Sequence, residues 1–125
     1  VIDDSAEYKN ATRILFCTGK ITHELIAERN KRNDTTTAII SIEQLYPFPR
    51  NELYEILKQY PNAKTHIWVQ EEPANMGALS FIRPYLQEVT GDTKILSVKR
   101  SATGSPKAHA LEQEALIKLA FAQFS

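Results

Sequence analysis

Arg13-Ile14-Leu15-Phe16-Cys17-Thr18-Gly19-Lys20 runs from one arginine through four consecutive apolar residues and halts at a glycine. A short apolar run without polar alternation, closed by a turn signal, reads as a parallel strand covered on both faces. Immediately downstream, Ile21, Leu25 and Ile26 fall on one side of the stretch Ile21 to Asn30 among charged neighbours. That spacing predicts an amphipathic helix. Thr35 to Ile42, rich in β-branched residues, reads as a second strand. A buried strand, a helix and another apolar strand in that order form the seed of an α/β domain.

The alternation continues along the chain. Tyr46-Pro47-Phe48-Pro49 is an extended connector, because each proline lacks an N–H and restricts the residue before it. Leu53, Ile56, Leu57 and Tyr60 then recur at helical spacing until Pro61-Asn62 stops them. Ile67-Trp68-Val69 reads as the third strand, and Gln70-Glu71-Glu72-Pro73 carries the chain off its end. Leu79, Ile82, Leu86 and Val89 mark another helix, with Pro84 inside it predicting a kink or a split. Ile95 to Val98 is the fourth apolar strand. Lys107 to Phe124 is a final helix with Leu111, Ala115, Leu116, Leu119 and Phe121 on its apolar face. This order predicts a mostly parallel sheet with helices on both sides.

The 125 residues fit a single domain, 1–125, with one core and no requirement for disulfides or a structural metal. Fifteen basic residues balance fifteen acidic ones, which removes the global attraction that nucleic acid or an anionic membrane would exploit. Cys17 is the single cysteine, so the sequence holds no intrachain disulfide, no CxxC pair and no cysteine-rich zinc cluster. The apolar runs fall short of the roughly 20 residues of a membrane span, and Val1 opens a segment without a signal-peptide pattern. These features predict a soluble intracellular chain. The lack of an initiator Met adds the expectation that it is a piece of something longer.

Most tests for self-contained chemistry come back negative. Gly19, Gly77, Gly91 and Gly104 lie too far apart to wrap a phosphate, and neither GxGxxG nor GxxxxGK[ST] occurs. A Gly-Asp-Gly segment with a following asparagine, which holds the magnesium of thiamine diphosphate, is absent, since Gly91-Asp92 leads into Thr93. His23, His66 and His109 have no metal-ligand spacing. Cys17 ends an apolar strand, the setting of an inert buried thiol. Trp68 and Met76 read as core or interface packing.

Two clusters stay open. Glu71 and Glu72 would leave opposite faces of a continuing strand, so they do not share a proton. Either one receives a backbone N–H while the other is solvated, or one faces a partner at the strand exit, where neighbours approach an α/β sheet. Lys20, at the start of the first helix, and Arg100, Ser105, Lys107 and His109, around the last strand-to-helix connection, could meet an anion. A plain turn at Lys20 and a solvated or intersubunit loop at the others are the competing readings.

Several stretches together resemble the carboxy-terminal region of 2-oxoglutarate dehydrogenases: Phe16-Cys17-Thr18-Gly19-Lys20, Ile42-Glu43-Gln44-Leu45-Tyr46-Pro47-Phe48-Pro49, Gln70-Glu71-Glu72-Pro73-Ala74-Asn75-Met76-Gly77-Ala78, and Ala102-Thr103-Gly104-Ser105-Pro106-Lys107-Ala108-His109 with Glu112-Gln113. The likeness covers nearly the whole chain. It departs between Lys99-Arg100 and Ala102, where this sequence is shorter than the Gly-Arg to Ser-Pro-Ala run of the family. More distantly the chain is similar to the last domain of transketolase-type thiamine enzymes. That implies a three-layer α/β/α sandwich on a five-strand mixed sheet, with Val1-Ile2 as the remnant of an antiparallel edge strand.

The resemblance also implies a function. It is that of the carboxy-terminal domain of a thiamine-diphosphate-dependent oxidoreductase of the tricarboxylic acid cycle, cytoplasmic in bacteria or in the mitochondrial matrix. The parent would decarboxylate 2-oxoglutarate and pass the succinyl group to lipoyl. Thiamine diphosphate and magnesium would be held by upstream domains across a homodimer interface, with none bound by this chain alone. Its partners would be those domains, the homodimer mate and the lipoyl succinyltransferase of the multienzyme complex, and its role structural, with Gln70, Glu71, Glu72, Asn75 and Gly77 facing an interface or active site. The alternatives are a regulatory nucleotide or acyl-CoA site near Lys20 and Arg100 to Lys107, and the equivalent domain of a 2-oxoadipate dehydrogenase.

Overall fold

The computed structural model describes residues 2–3, 10–44, 47–71, 79–91, 95–99, 115–117 and 120–121. The elements are β1 (Ile2–Asp3), β2 (Arg13–Cys17), α1 (Ile21–Arg32), β3 (Thr37–Ser41), α2 (Arg50–Leu57), β4 (Thr65–Gln70), α3 (Leu79–Thr90) and β5 (Ile95–Lys99), and the backbone is helical again at residues 115–117 and 120–121. The five strands form one sheet in the order β1-β3-β2-β4-β5. Four of them are parallel, and β1 runs antiparallel to β3 with Ile2 opposite Ser41.

β2 lies at the centre, flanked by β3 and β4, and every one of its residues is buried. Alternate side chains therefore feed two cores. On one face Ile14, Phe16, Ala38, Ile40 and Trp68 meet Leu53 of α2 and Ile82, Leu86 and Val89 of α3. On the other, Leu15, Cys17, Ile39, Ile67, Val69 and Val98 meet Ile21 and Leu25 of α1 together with Leu116, Ile117, Ala120 and Phe121. Helices thus cover both faces, and the expected three-layer α/β/α sandwich is the architecture found. Each fully buried Leu, Ile or Phe contributes about 1.5–3 kcal/mol by leaving water, so the two cores hold the layers together.

Local chemistry sets the element ends, and in places it differs from the sequence expectation. α1 runs to Arg32 instead of Asn30, because Asn33 takes the left-handed conformation (φ 53°) and its N–H closes on the Arg29 and Asn30 carbonyls. The second strand begins at Thr37, not Thr35. Asp34 Oδ1 accepts from the Thr36 N–H (2.7 Å) and the Thr36 hydroxyl (2.8 Å), which bends the chain into a side-chain-stabilised turn. Ile42 lies beyond β3, yet its N–H still donates to the Cys17 carbonyl at 2.8 Å.

Tyr60 is buried but lies past the end of α2, reaching the core from the turn before β4. α3 is not split at Pro84, which sits on its exposed side, where water can meet the carbonyl that loses its intrahelical donor. In the last helical segment Ala115 is exposed, while Ile117 and Ala120, unassigned by the sequence reading, join the core. Leu111 and Leu119 lie outside the described residues.

Arg13 and Arg29 are the buried charged side chains among the described residues, and Arg13 anchors a polar network. Arg13, 5% exposed, donates from Nε to Thr37 Oγ1 (3.2 Å) and from Nη1 to the Phe121 carbonyl (2.7 Å), and its Nη2 pairs with Asp34 Oδ2 at 3.5 Å. Its guanidinium also lies 6.0 Å from the Phe121 ring centroid, and that of Arg32 lies 5.4 Å from it. Burial lowers the Arg13 pKa against the attraction of Asp34. For Asp34, burial works to raise the carboxyl. The Thr37 hydroxyl, the Thr36 amide and hydroxyl, and Arg13 outweigh it and hold the carboxyl below its ordinary value.

Removing one member of a buried pair strands the other, so Arg13→Ala should cost about 3–5 kcal/mol of unfolding free energy in urea denaturation. Because the native state favours the Asp34 carboxylate, its contribution is complete above the ordinary value of 3.8 and is lost as pH falls through the lower folded value. Asp34→Asn should abolish that acid limb of the stability profile.

Candidate functional site at the strand exits

Parallel strands deliver their carboxyl ends to one edge of the sheet, and in α/β folds ligands and partners meet that edge. Here the edge is formed by Cys17-Thr18, Ser41 to Gln44, Gln70-Glu71 and Lys99, with Gln70 in register with Lys99. Gln70 is 2% exposed and takes the Trp68 indole N–H on its Oε1 at 2.8 Å. The two side chains lie on the same face of β4, two residues apart, as strand geometry requires. Trp68, fully buried, is therefore a core residue whose polar tip orients the last side chain of the strand.

Glu71 is half-buried in a bend directly after β4. The strand ends at Gln70, so the alternation used to separate Glu71 from Glu72 does not extend to this pair; Glu72, Asn75, Gly77 and Met76 lie outside the described residues. Of the expected interface group, the structure places Gln70 and Glu71 together at the edge.

On the opposite face of the same edge, Thr22 Oγ1 donates to Ser41 Oγ at 3.1 Å and lies 3.3 Å from Cys17 Sγ. Cys17 Sγ is also 3.8 Å from the Ile40 carbonyl. This chain of hydroxyls and thiol ties the start of α1 to the exits of β2 and β3. The sequence reading missed it, although Cys17, Thr22 and Ser41 each stand at an element boundary. The Cys17 thiol is buried, and its contacts with Thr22 and the Ile40 carbonyl make it part of this packing.

Lys20 is exposed at the N-cap of α1 and makes no side-chain capping bond there, while Gly19 turns the chain with φ 77°, a left-handed conformation suited to glycine. The plain turn accounts for this segment. The remaining members of the expected anion group, Arg100, Ser105, Lys107 and His109, lie outside the described residues.

The two described histidines do not converge. His23 is exposed on α1, whereas His66 is 5% exposed near the start of β4, stacked 6.1 Å from the Phe16 ring centroid. Among the described residues no group of three or more His, Cys, Asp or Glu side chains could hold a metal ion. The His66 Nδ1 has no hydrogen-bond partner, and burial pushes the ring below the ordinary 6.5.

A surface feature also escaped the sequence reading. Phe48 stacks on Tyr85 (centroids 5.2 Å apart), and Tyr85 meets Phe81 at 5.5 Å. With Pro47, Arg50 and Asn51 they line an open cleft of about 640 Å³ beside α2 and α3. The i,i+4 spacing of Phe81 and Tyr85 on a helix was the available signal.

The geometry defines a class: a largely parallel α/β domain with helices over both faces of its sheet. The family model described as 2-oxoglutarate dehydrogenase C-terminal matches residues 1–121, and the chain belongs to that family. It is 42% identical to a "Multifunctional 2-oxoglutarate metabolism enzyme" of Mycobacterium sp. (strain KMS), over 96% of this chain and 10% of that protein. It is also 38% identical to the "2-oxoglutarate dehydrogenase E1 component" of Cupriavidus necator, over 98% of this chain and 14% of the relative. For the protein of that name from Geobacillus sp. (strain WCH70) the figures are 41%, 86% and 12%. The chain therefore spans about a tenth of the length of the curated relatives it matches.

Two outcomes test the local chemistry. Trp68→Phe keeps most of the packing but removes the donor to Gln70 Oε1, and should cost about 1–3 kcal/mol of stability in urea titration. His66 is held neutral in the fold, so the unfolded chain takes up its proton first. Stability should fall as pH drops from 6.5 towards the lower folded value, and His66→Phe should remove that dependence in a pH series of thermal melts.

Proposed function

We propose that this chain is a single carboxy-terminal domain of a longer 2-oxoglutarate dehydrogenase E1 component and that it acts in assembly, not as the seat of chemistry. The family match over residues 1–121, set against relatives seven to ten times longer, carries this reading. The parent would decarboxylate 2-oxoglutarate and transfer the succinyl group to lipoyl, with thiamine diphosphate and magnesium held by its upstream domains.

The described residues do not fit that cofactor. No carboxylate or histidine cluster among them could ligate magnesium, and their glycines at positive φ, Gly19 and Gly91, sit singly in separate turns. No step of the reaction is therefore assigned to these side chains. Their share is support: Trp68 holds Gln70, and Gln70 and Glu71 stand at the edge where an upstream domain or the homodimer mate would abut. The amide of Gln70 suits such a contact, since burying a neutral group against protein costs less than burying a charge, whereas the Glu71 carboxylate would need a polar or cationic partner there.

Deletion of this segment from the longer protein tests the proposal. The truncated enzyme should lose 2-oxoglutarate-dependent ferricyanide reduction and its native oligomeric state, and the 125-residue chain supplied in trans should restore part of both. Calorimetry of the chain alone with thiamine diphosphate and magnesium should give no heat of binding. Turnover by the isolated chain, tight cofactor binding to it, or full activity of the truncated enzyme would sink the assignment.

A further inference from the structure

We propose that His66 is a proton-operated latch on the stretch of α3 between Pro84 and Gly91: the neutral imidazole fits beneath the closed helix, and proton uptake by the ring releases those residues while the strands stay paired. Such a latch is independent of the assembly reading above.

The ring faces the α2/α3 layer. His66 shares a face of β4 with Trp68, two residues on, and Trp68 belongs to the core that Leu86 and Val89 of α3 complete. Its register neighbours, Ile14 on β2 and Ile95 on β5, belong to that core too, and the Phe16 ring stacks against it. Within this apolar setting Nδ1 is buried and has no hydrogen-bond partner. In the imidazolium both ring nitrogens are donors, so protonation would add a buried N–H without an acceptor to the cost of a buried charge.

The charges on the surrounding elements do not offset that cost. On α3, Arg83 donates from Nη1 to the Ile95 carbonyl (2.9 Å), and Glu88 pairs at the surface with Arg50 of α2. Elsewhere on α2, Glu55 pairs with Lys58 and Glu52 is exposed, as is Lys64 in the turn before β4. Arg13 of β2 is engaged with Asp34, and Lys99 stands at the far end of β5. The phenols of this layer belong to Tyr54, Tyr60 and Tyr85. Burial is the cause that lowers the His66 pKa, so the closed form excludes the proton and a form that wets the ring regains it.

The stretch after Pro84 is the part of the cover that opens at least cost. Pro84 offers no N–H, so α3 lacks one backbone bond there, and Gly91, left-handed at φ 74°, turns the chain away at the other end. Between them Leu86 and Val89 are the core side chains. On the outer side the hold is the half-exposed Arg50–Glu88 pair, which contributes little. Arg83, before the proline, keeps the first half of the helix tied to β5. A short stretch held in this way has a lower local opening free energy than strands paired on both edges.

Hydrogen exchange of the chain, read as protection factors so that the intrinsic pH dependence of exchange cancels, tests the latch. Because the opened ring recovers the ordinary 6.5, protection over residues 85–90 should fall by up to about thirtyfold from about pH 7.5 to about pH 5. Residues 13–17 and 37–41, in β2 and β3, should keep theirs. His66→Phe should abolish the fall and Glu88→Gln should leave it in place. In the unaltered chain, NMR of the His66 ring should show it titrating below 6.5, a readout that needs no variant. Equal protection at the two pH values, a loss spread evenly over the sheet, a fall that survives His66→Phe or vanishes in Glu88→Gln, or a ring that titrates at 6.5 or above overturns the proposal.

Discussion

A strand with neighbours on both edges and helices over both faces has no side exposed to water, and β2 is such a strand. Four of its five residues meet that constraint by being apolar. The fifth, Arg13, meets it by hydrogen bonding. Its donors go to Thr37 at the start of β3, to Asp34 in the turn after α1 and to the Phe121 carbonyl. Apolar burial is non-directional and would let the last helical segment slide over the sheet. The guanidinium supplies direction, because a planar fork satisfies these acceptors in one arrangement only. Stability comes mainly from the two cores; Arg13 selects how the layers are aligned.

The two ends of the sheet solve their polarity differently. Near the strand starts, the arrangement uses a charge pair, and the cost of burying it is offset by hydrogen bonds from Thr36 and Thr37 to the carboxylate. At the strand exits Trp68 joins Gln70, indole to amide, and Thr22 joins Ser41, hydroxyl to hydroxyl. The first end is closed on itself. The second sets these neutral bonds beside the carboxylate of Glu71, so a neighbour packed there would meet both oriented neutral groups and a charge.

Much of this was legible in the sequence because doubly covered strands write themselves as unbroken apolar runs. Arg13 to Cys17 matches β2 residue for residue, and β3, β4 and β5 fall where β-branched or apolar runs placed them. The misses have physical causes. Thr35 and Thr36 have strand propensity, but Asp34 captures Thr36 for a turn, a side-chain effect that propensity does not register. Pro84 removes a bond without ending α3, because it lies on the exposed side of a helix whose opposite face is anchored by Ile82, Leu86 and Val89. Within the site, the residue types at the strand exit were readable, whereas the Trp68–Gln70 bond was not. Their i,i+2 spacing says only that they share a face, and the bond depends on which way a buried indole turns.

The helical layers are unequal, and that inequality follows from the same charge distribution. On the α1 side the interior closes over itself: Phe121 is buried, its ring meets Arg13 and Arg32, and its carbonyl accepts from Arg13. On the α2/α3 side, Tyr54 and Phe81 stay exposed beside the core residues Leu53 and Ile82, while half-buried Tyr85 stacks on Phe48, which packs against that core. Among the described residues, the exposed large hydrophobic side chains therefore belong to the α2/α3 layer, where a solvent-facing aromatic ring lies next to a closed core.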